Sequence, residues 1–269
     1  MTPAFQAPAW LVGCGNMVGA IVEGWRVGGA DFAGVTVIRP SGTSVEGIRT
    51  VTDYPDEQPR FVMLGFKPQK LDEIAPGLAP HVGDETILVS MMAGVTAAAL
   101  RERFARAKAI VRIMPNLPVA QLQGVTAIYS ADGGESELHE IGQIFAGLGM
   151  LCWCKSEEEL GIVGAMASAA IAYVARFAEA LGTAGAALGI QPELAALIAE
   201  QTLVGTGAYA ASGVRLPEIA RRVASPRGTT EQGLAVLDAP DGLQQLVDRT
   251  LAAAIRRGKE LAEEAASRN

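Results

Sequence analysis

A series of short apolar runs that stops abruptly at Lys155 constrains this fold more than any other feature of the chain. Residues 10–12, 35–38, 61–66, 86–91, 109–114 and 125–129 each read as a strand, and many are apolar along their whole length. Continuous apolarity, without alternation, is what parallel strands covered on both faces show. Helical or turn segments separate the runs, which predicts a doubly wound α/β sheet. A helix over 135–148 and a last strand over 151–154 complete this half.

From residue 155 the pattern changes. Ser156 followed by Glu159 matches a capping box, in which the serine oxygen takes an orphan helix N–H and the glutamate reaches back to the serine N–H. Residues 160–188, 193–211, 216–223, 229–237 and 243–265 then read as helices, rich in Ala, Gly and Leu. The expected domains are therefore 1–155, a doubly wound nucleotide-binding sheet, and 156–269, all-α. The first long helix carries Gly161, Gly164, Ala165, Ala167, Ser168, Ala169 and Ala170. A helix that is apolar on most faces must be buried on most faces, so a second subunit is the expected cover; the alternative is that one chain's helices bury each other.

Composition excludes several classes. A formal charge of −7 argues against a nucleic-acid surface, which needs a basic face. The uncharged stretch 161–175 is shorter than the ~20 residues that cross a bilayer, and Arg176 and Glu179 interrupt its continuation, so it reads as a buried helix of a soluble protein. The N-terminal residues lack a basic region before an apolar run, which points to the cytoplasm. Cys14, Cys152 and Cys154, with only His81 and His139, match neither a disulfide framework nor a metal site.

GCGNMVG at 13–19 follows the first strand and opens a helix, the context of a Rossmann-type dinucleotide fingerprint. Gly13 suits the tight turn and Gly15 the close approach of pyrophosphate, while Asn16 and Met17 begin a helix whose N–H groups face the phosphates. Val18 occupies the third glycine position, with Gly19 one place later, which implies a small displacement of the helix. After the second strand there is no carboxylate to hold a ribose hydroxyl; Arg39 and Ser41 stand there and suit a 2′-phosphate. NADPH is thus expected over NADH, with an ordinary solvated role as the alternative for Arg39. Lys67 and Pro68, in GFKPQ, follow the third strand, where the ammonium can face cofactor phosphate or substrate. Ala93, in SMMAGVT, offers a small residue against which a nicotinamide ring can lie, and Asn116 sits in the proline-bracketed turn RIMPNLP. Each of these segments can equally be turn punctuation.

Taken in order, GCGNM, FKPQ, SMMAGVT, VRIMPNLP and VASPRGTTEQGL span nearly the whole chain and resemble the pyrroline-5-carboxylate reductase family. The resemblance implies NADPH-dependent hydride transfer to a cyclic imine, giving proline, and a helical domain that interleaves into a homodimer or an assembly of dimers. It implies that Ser225 and Thr230, with the nearby backbone N–H groups of Gly228 and Thr229, bind the substrate, with Thr230 in contact with the imine nitrogen; Thr230 and the strand-end Lys67 are the candidate catalytic residues, and Asn116 is a candidate for both substrate and cofactor binding. Thr229 and Gln232 also match a TxxQ capping box, so the segment can be read simply as a capped helix. The chain departs from the family's motifs at Leu117, at 168–171 and at Arg227. A reductase of another imine or ketone, and a weakly catalytic nucleotide-binding sensor, are the alternatives.

Overall fold

The computed structural model describes residues 5–266. Strands β1 (Ala9–Val12), β2 (Val35–Ile38), β3 (Arg49–Val51), β4 (Phe61–Leu64), β5 (Ile87–Ser90), β6 (Ala109–Pro115), β7 (Gly124–Ser130) and β8 (Gly149–Trp153) form one sheet in the order β3-β2-β1-β4-β5-β6-β7-β8. All neighbours are parallel except β6 and β7. Helices α1 (Asn16–Val27), α2 (Leu71–Leu78), α3 (Ala97–Arg103) and α4 (Glu135–Ala146) cover it. Alternate strand residues serve opposite faces. Leu11, Val37, Met63 and Val89 pack with Ile21 and Trp25 of α1 and Phe145 of α4, whereas Trp10, Val62, Leu64 and Leu88 pack with Leu71 and Leu78 of α2 and Leu100 of α3. Two buried faces explain why the strands lack alternation.

The expected strands are all present, and β3 is additional. Its three residues, Arg49, Thr50 and Val51, lie at the sheet edge and are not fully buried, so they carry no apolar run to read.

The helical run continues the chain through α5 (Glu157–Gly164), a π-helical turn at Ala165–Ala169 and α6 (Ala170–Ala187), followed by α7 (Pro192–Ala211), α8 (Leu216–Val223), α9 (Thr229–Leu237) and α10 (Leu243–Ala266). Ser156 caps α5, its Oγ accepting from the Glu159 N–H at 3.1 Å. The Glu159 carboxylate returns to the Lys155 N–H, at 2.6 Å, and not to that of Ser156. Two compact units result, Met1–Ser168 with Ala254–Asn269, and Ala169–Ala253. The composition changes at 155, but α5 packs with the sheet: Gly164 lies so close to Met114 that a Cβ there would overlap its sulfur. Ser168 Oγ donates to the Pro115 carbonyl at 2.9 Å.

Within the second unit, Ala178 and Gly182 of α6 meet Ala195 and Ala199 of α7, and a Cβ at Gly182 would lie 3.3 Å from the Ala195 carbonyl oxygen. Small residues thus bring these two helices together within one chain, but they do not cover the apolar faces that the sequence predicts to lie beneath a partner. The larger residues Val174, Phe177 and Leu181 of α6 and Leu194, Leu197, Ile198 and Val204 of α7 stay exposed. The length criterion used on the sequence also needs correction. The helical run Glu157–Ala187 has 31 residues and contains an 18-residue window of mean hydropathy 1.6, enough to cross a membrane by length and composition, and little of that window is buried in the chain.

At the carboxyl ends of β1 and β4, two glycine backbones touch. Gly13 has φ +87°, and a Cβ there would lie 2.9 Å from the Gly65 carbonyl oxygen. A Cβ at Gly65 would overlap Val18 Cγ2 and lie 2.8 Å from the Gly13 carbonyl oxygen. Val18 in the fingerprint is therefore accommodated by the missing side chain of Gly65. We predict that Gly65→Ala costs about 1–3 kcal/mol in urea denaturation, as overpacking does, and that adding Val18→Ala recovers part of the loss. A neutral Gly65→Ala would show the contact to be loose.

Candidate functional site

Strand register brings most of the expected cofactor residues to one edge. Val12 pairs with both Ile38 and Leu64, and Leu64 with Ser90, so β1, β2, β4 and β5 end in one row. Gly13, Arg39, Gly65 and Met91 step off that row, and the sheet order reverses direction at β1 and β4, where open α/β sheets bind ligands.

The fingerprint loop is built to receive an anion. Gly15 is the N-cap of α1 in extended conformation; no side chain caps the helix, its first turn holds no acid, and a Cβ at Gly15 would meet nothing within 4 Å. The first helical bond runs from Gly19 N to the Gly15 carbonyl, which leaves the N–H groups of Asn16, Met17 and Val18 without intrahelical acceptors. Open space above Gly15 and these donors fit a pyrophosphate. Arg39 is half-buried, and its backbone is tied to β3 through the Val51 carbonyl at 3.0 Å. Burial pushes the Cys14 thiol above its ordinary value, and the Arg39 guanidinium opposes that push. The Arg39 guanidinium makes no ion pair among the described residues. Ser41 is exposed two residues on and accepts weakly from Thr43 N at 3.4 Å. Lys67 is exposed, makes no ion pair among the described residues, and precedes the short 3₁₀ turn begun by Pro68. Ala93 is exposed beside Gly94, whose φ is +77°.

Asn116 lies buried where β6 ends. It is 6% exposed. Its Nδ2 donates to the Ala167 carbonyl at 3.1 Å, and its Oδ1 accepts from Val125 N at 2.8 Å. Both ends of the amide are occupied by the chain, so Asn116 fastens the π-helical turn and β7 to the end of β6. The departures at 168–171 thus begin where the long helix is anchored, because Ser168 and Ala167 bond Pro115 and Asn116.

The Ser225–Thr230 segment lies in the second unit. Gly228 N bonds the Ser225 carbonyl at 2.9 Å, closing a turn centred on Pro226 and Arg227, and Arg227 has φ +61°. That is the left-handed position a type II turn reserves for glycine. Gly228 is needed as well, since a Cβ there would overlap Ser225 Oγ. The TxxQ capping box is contradicted: Gly228 is the N-cap, Thr229 is the first helical residue, and no side chain caps α9. Glu231 instead accepts from Arg227 N at 2.6 Å. The N–H groups of Thr229, Thr230 and Glu231 are left as the orphan donors of the helix, beside the hydroxyls of Ser225, Thr229 and half-buried Thr230. Such an entrance attracts a carboxylate.

Two structural participants escaped the sequence reading. Gly65 was visible only as part of GFKPQ. Arg112, buried on β6 and paired with Glu157 at 2.8 Å, had a plain signal: an arginine amid the apolar run AIVRIM.

Residues 157–261 match the family described as pyrroline-5-carboxylate reductase dimerisation. The chain is 30% identical over 264 residues to a pyrroline-5-carboxylate reductase of Pseudomonas aeruginosa, covering 94% of this chain and 96% of the relative. A solved pyrroline-5-carboxylate reductase of Coxiella burnetii superposes with a TM-score of 0.85 at 27% identity, covering 95% of this chain and 98% of that one. A Plasmodium falciparum pyrroline carboxylate reductase with NADP bound shares the fold, at 21% identity and a TM-score of 0.81 over 96% of this chain and 99% of that one.

The αL strain yields a stability test. Arg227→Gly should raise stability by about 1 kcal/mol in urea denaturation, because glycine adopts positive φ without penalty. Thr229→Ala should change stability by less than about 0.5 kcal/mol, as a substitution that removes no cap. A loss near ~1 kcal/mol at Thr229 would reinstate the cap.

Proposed function

The chain belongs to the pyrroline-5-carboxylate reductase family, and we propose that it reduces 1-pyrroline-5-carboxylate to proline with NADPH as hydride donor. The observation that carries this reading is a full-length match to the family that retains both an uncapped fingerprint helix and an uncapped, hydroxyl-rich α9 entrance. Gly15, Asn16 and Met17 hold the pyrophosphate through backbone N–H groups, and Gly13, whose own N–H is bonded to the Ile38 carbonyl at 2.8 Å, makes the tight turn that presents them. Arg39 and Ser41 take the 2′-phosphate, Lys67 and Pro68 border the phosphates, and Ala93 leaves room for the nicotinamide. When bound, NADPH supplies a hydride to the C=N carbon, and one proton completes the secondary amine.

The protein's own task is to orient and polarise. The N–H groups of Thr229, Thr230 and Glu231, with Ser225, hold the substrate carboxylate, and the Thr230 hydroxyl bonds the ring nitrogen. Gly228 lets the turn close behind them. A protonated imine is already electrophilic, so alignment supplies most of the acceleration. Asn116 acts through the chain it fastens. The three free thiols suit a reducing compartment, the cytoplasm.

The test is turnover of pyrroline-5-carboxylate, followed by nucleotide absorbance with NADPH and NADH, against a panel of other cyclic imines and ketones. NADPH should be preferred, and Arg39→Ala should weaken NADPH selectively by about ten-fold, the worth of one charge-assisted hydrogen bond. Thr230→Ala should lower turnover while the fold stays intact. Equal use of both nucleotides by the unmodified protein would remove the role of Arg39, and preference for another panel member would reassign the substrate.

We further propose that a second copy covers the apolar faces of α6 and α7, consistent with the dimerisation match over 157–261. Light scattering should report at least a dimer without detergent, and Phe177→Asp with Leu181→Asp should yield a smaller species. A stable monomer, or a protein soluble only in detergent, would overturn this.

A further inference from the structure

Arg112 is a costly residue for this sheet. It lies on β6 between Val111 and Ile113 and is 6% exposed. Its Nη1 donates to Glu157 Oε1 at 2.8 Å and its Nη2 to the Met92 carbonyl at 3.2 Å, while its buried Nε–H has no partner among the described residues. The same Glu157 oxygen accepts the Ala97 N–H at 2.8 Å. An ion pair whose guanidinium is buried with an unsatisfied donor, while its carboxylate is only partly covered, adds little net stability, and a well-packed apolar side chain in place of the arginine does about as well. What the pair supplies is geometry. Arg112 fastens one end of the loop 92–97 and Glu157 fastens the other. Between these fixed points Ala93 is exposed and Gly94 turns at positive φ, so the loop presents its tip at the carboxyl edge with both feet held.

We propose that Arg112 is a positioning residue for hydride transfer, acting with Glu157 to keep the 92–97 loop a rigid shelf for the nicotinamide end of the cofactor. The inference rests on the reading of this sheet edge as the dinucleotide site. The adenosine end is held separately, by the fingerprint loop and Arg39. Loss of the clasp therefore frees one half of the cofactor and leaves the other in place. A reacting carbon displaced by about 1 Å loses up to about 100-fold in rate, so a loop fastened at one end is enough to matter.

The experiment uses the full-length Arg112→Met and Glu157→Gln variants. Calorimetry measures affinity for NADPH and for its adenosine bisphosphate half alone. Steady-state kinetics with NADPH deuterated at the transferred position measures kcat and its isotope effect. Both variants should bind the adenosine bisphosphate as the unmodified enzyme does. They should bind NADPH at least about three-fold more weakly and lose about ten-fold in kcat with a larger isotope effect, because hydride transfer becomes rate-limiting. Glu157→Gln keeps the shape and an acceptor oxygen, so it carries the test if Arg112→Met does not fold. An unchanged kcat and isotope effect in a folded variant would overturn the inference, as would a parallel loss of both affinities, which marks general unfolding. Failure of the unmodified protein to bind either nucleotide would instead overturn the dinucleotide reading, and this inference with it.

Discussion

The contact between the Gly13 and Gly65 backbones governs the rest of this structure. β1 and β4 are hydrogen-bonded neighbours, with Gly65 N bonded to the Val12 carbonyl at 2.8 Å. Where both strands end, their chains must leave for different helices. Two residues without side chains let them pass within van der Waals limits, and the space left over receives Val18. That packing sets the distance of α1 from the sheet and aims its N-terminus along the row of strand ends. The third glycine of the usual fingerprint gives this same closeness from the helix side. Here the strand side provides it.

This exchange shows why part of the site was legible in the sequence and part was not. Apolar runs announced the strands other than β3, and those of β1, β2, β4 and β5 are buried on both faces along their whole length; the glycine loop, Arg39 and the strand-end segments followed from their position. β3 was silent because three half-exposed edge residues need no apolar pattern. The consequence of Val18 could not be foreseen, since it depends on a glycine forty-seven positions away in sequence that pairs only through the sheet. The α9 entrance misled for a local reason: TxxQ is a valid capping box only if the threonine is the N-cap, and the turn through Arg227 makes Gly228 the N-cap instead. Asn116 was found as a residue but not in its bonding, which requires the π-helical turn to be known.

Arg227 has a consequence for the α9 entrance. An L-residue held at positive φ costs on the order of 1 kcal/mol, and the turn accepts that strain while the Glu231 carboxylate steadies it through the Arg227 N–H. A cap from Thr229 would have stabilised the helix by a similar amount but consumed a donor. Strain at the turn and an uncapped helix are both unfavourable for folding, and both leave N–H groups pointing outward at one helix end. Local departures from stability of this kind are expected where a ligand completes the hydrogen bonding.

The helical unit poses the opposite problem, apolar surface without a cover. Val174, Phe177 and Leu181 recur along α6 with Leu188 just past its end, and Leu194, Leu197, Ile198 and Val204 along α7, each at least 49% exposed. Half-burying such side chains is worth about 1 kcal/mol each, so a symmetric pair of these faces offers about 15 kcal/mol before polar losses. The cost of immobilising two chains is estimated at about 4–15 kcal/mol, so the gain reaches or exceeds it. A bilayer would cover the same side chains, but it would also have to take the Arg176 guanidinium and the Glu179 carboxylate, which stand one turn apart on α6 and pair with each other. A protein partner, such as the second copy proposed above, can leave that pair at the rim in water, whereas a bilayer must desolvate it.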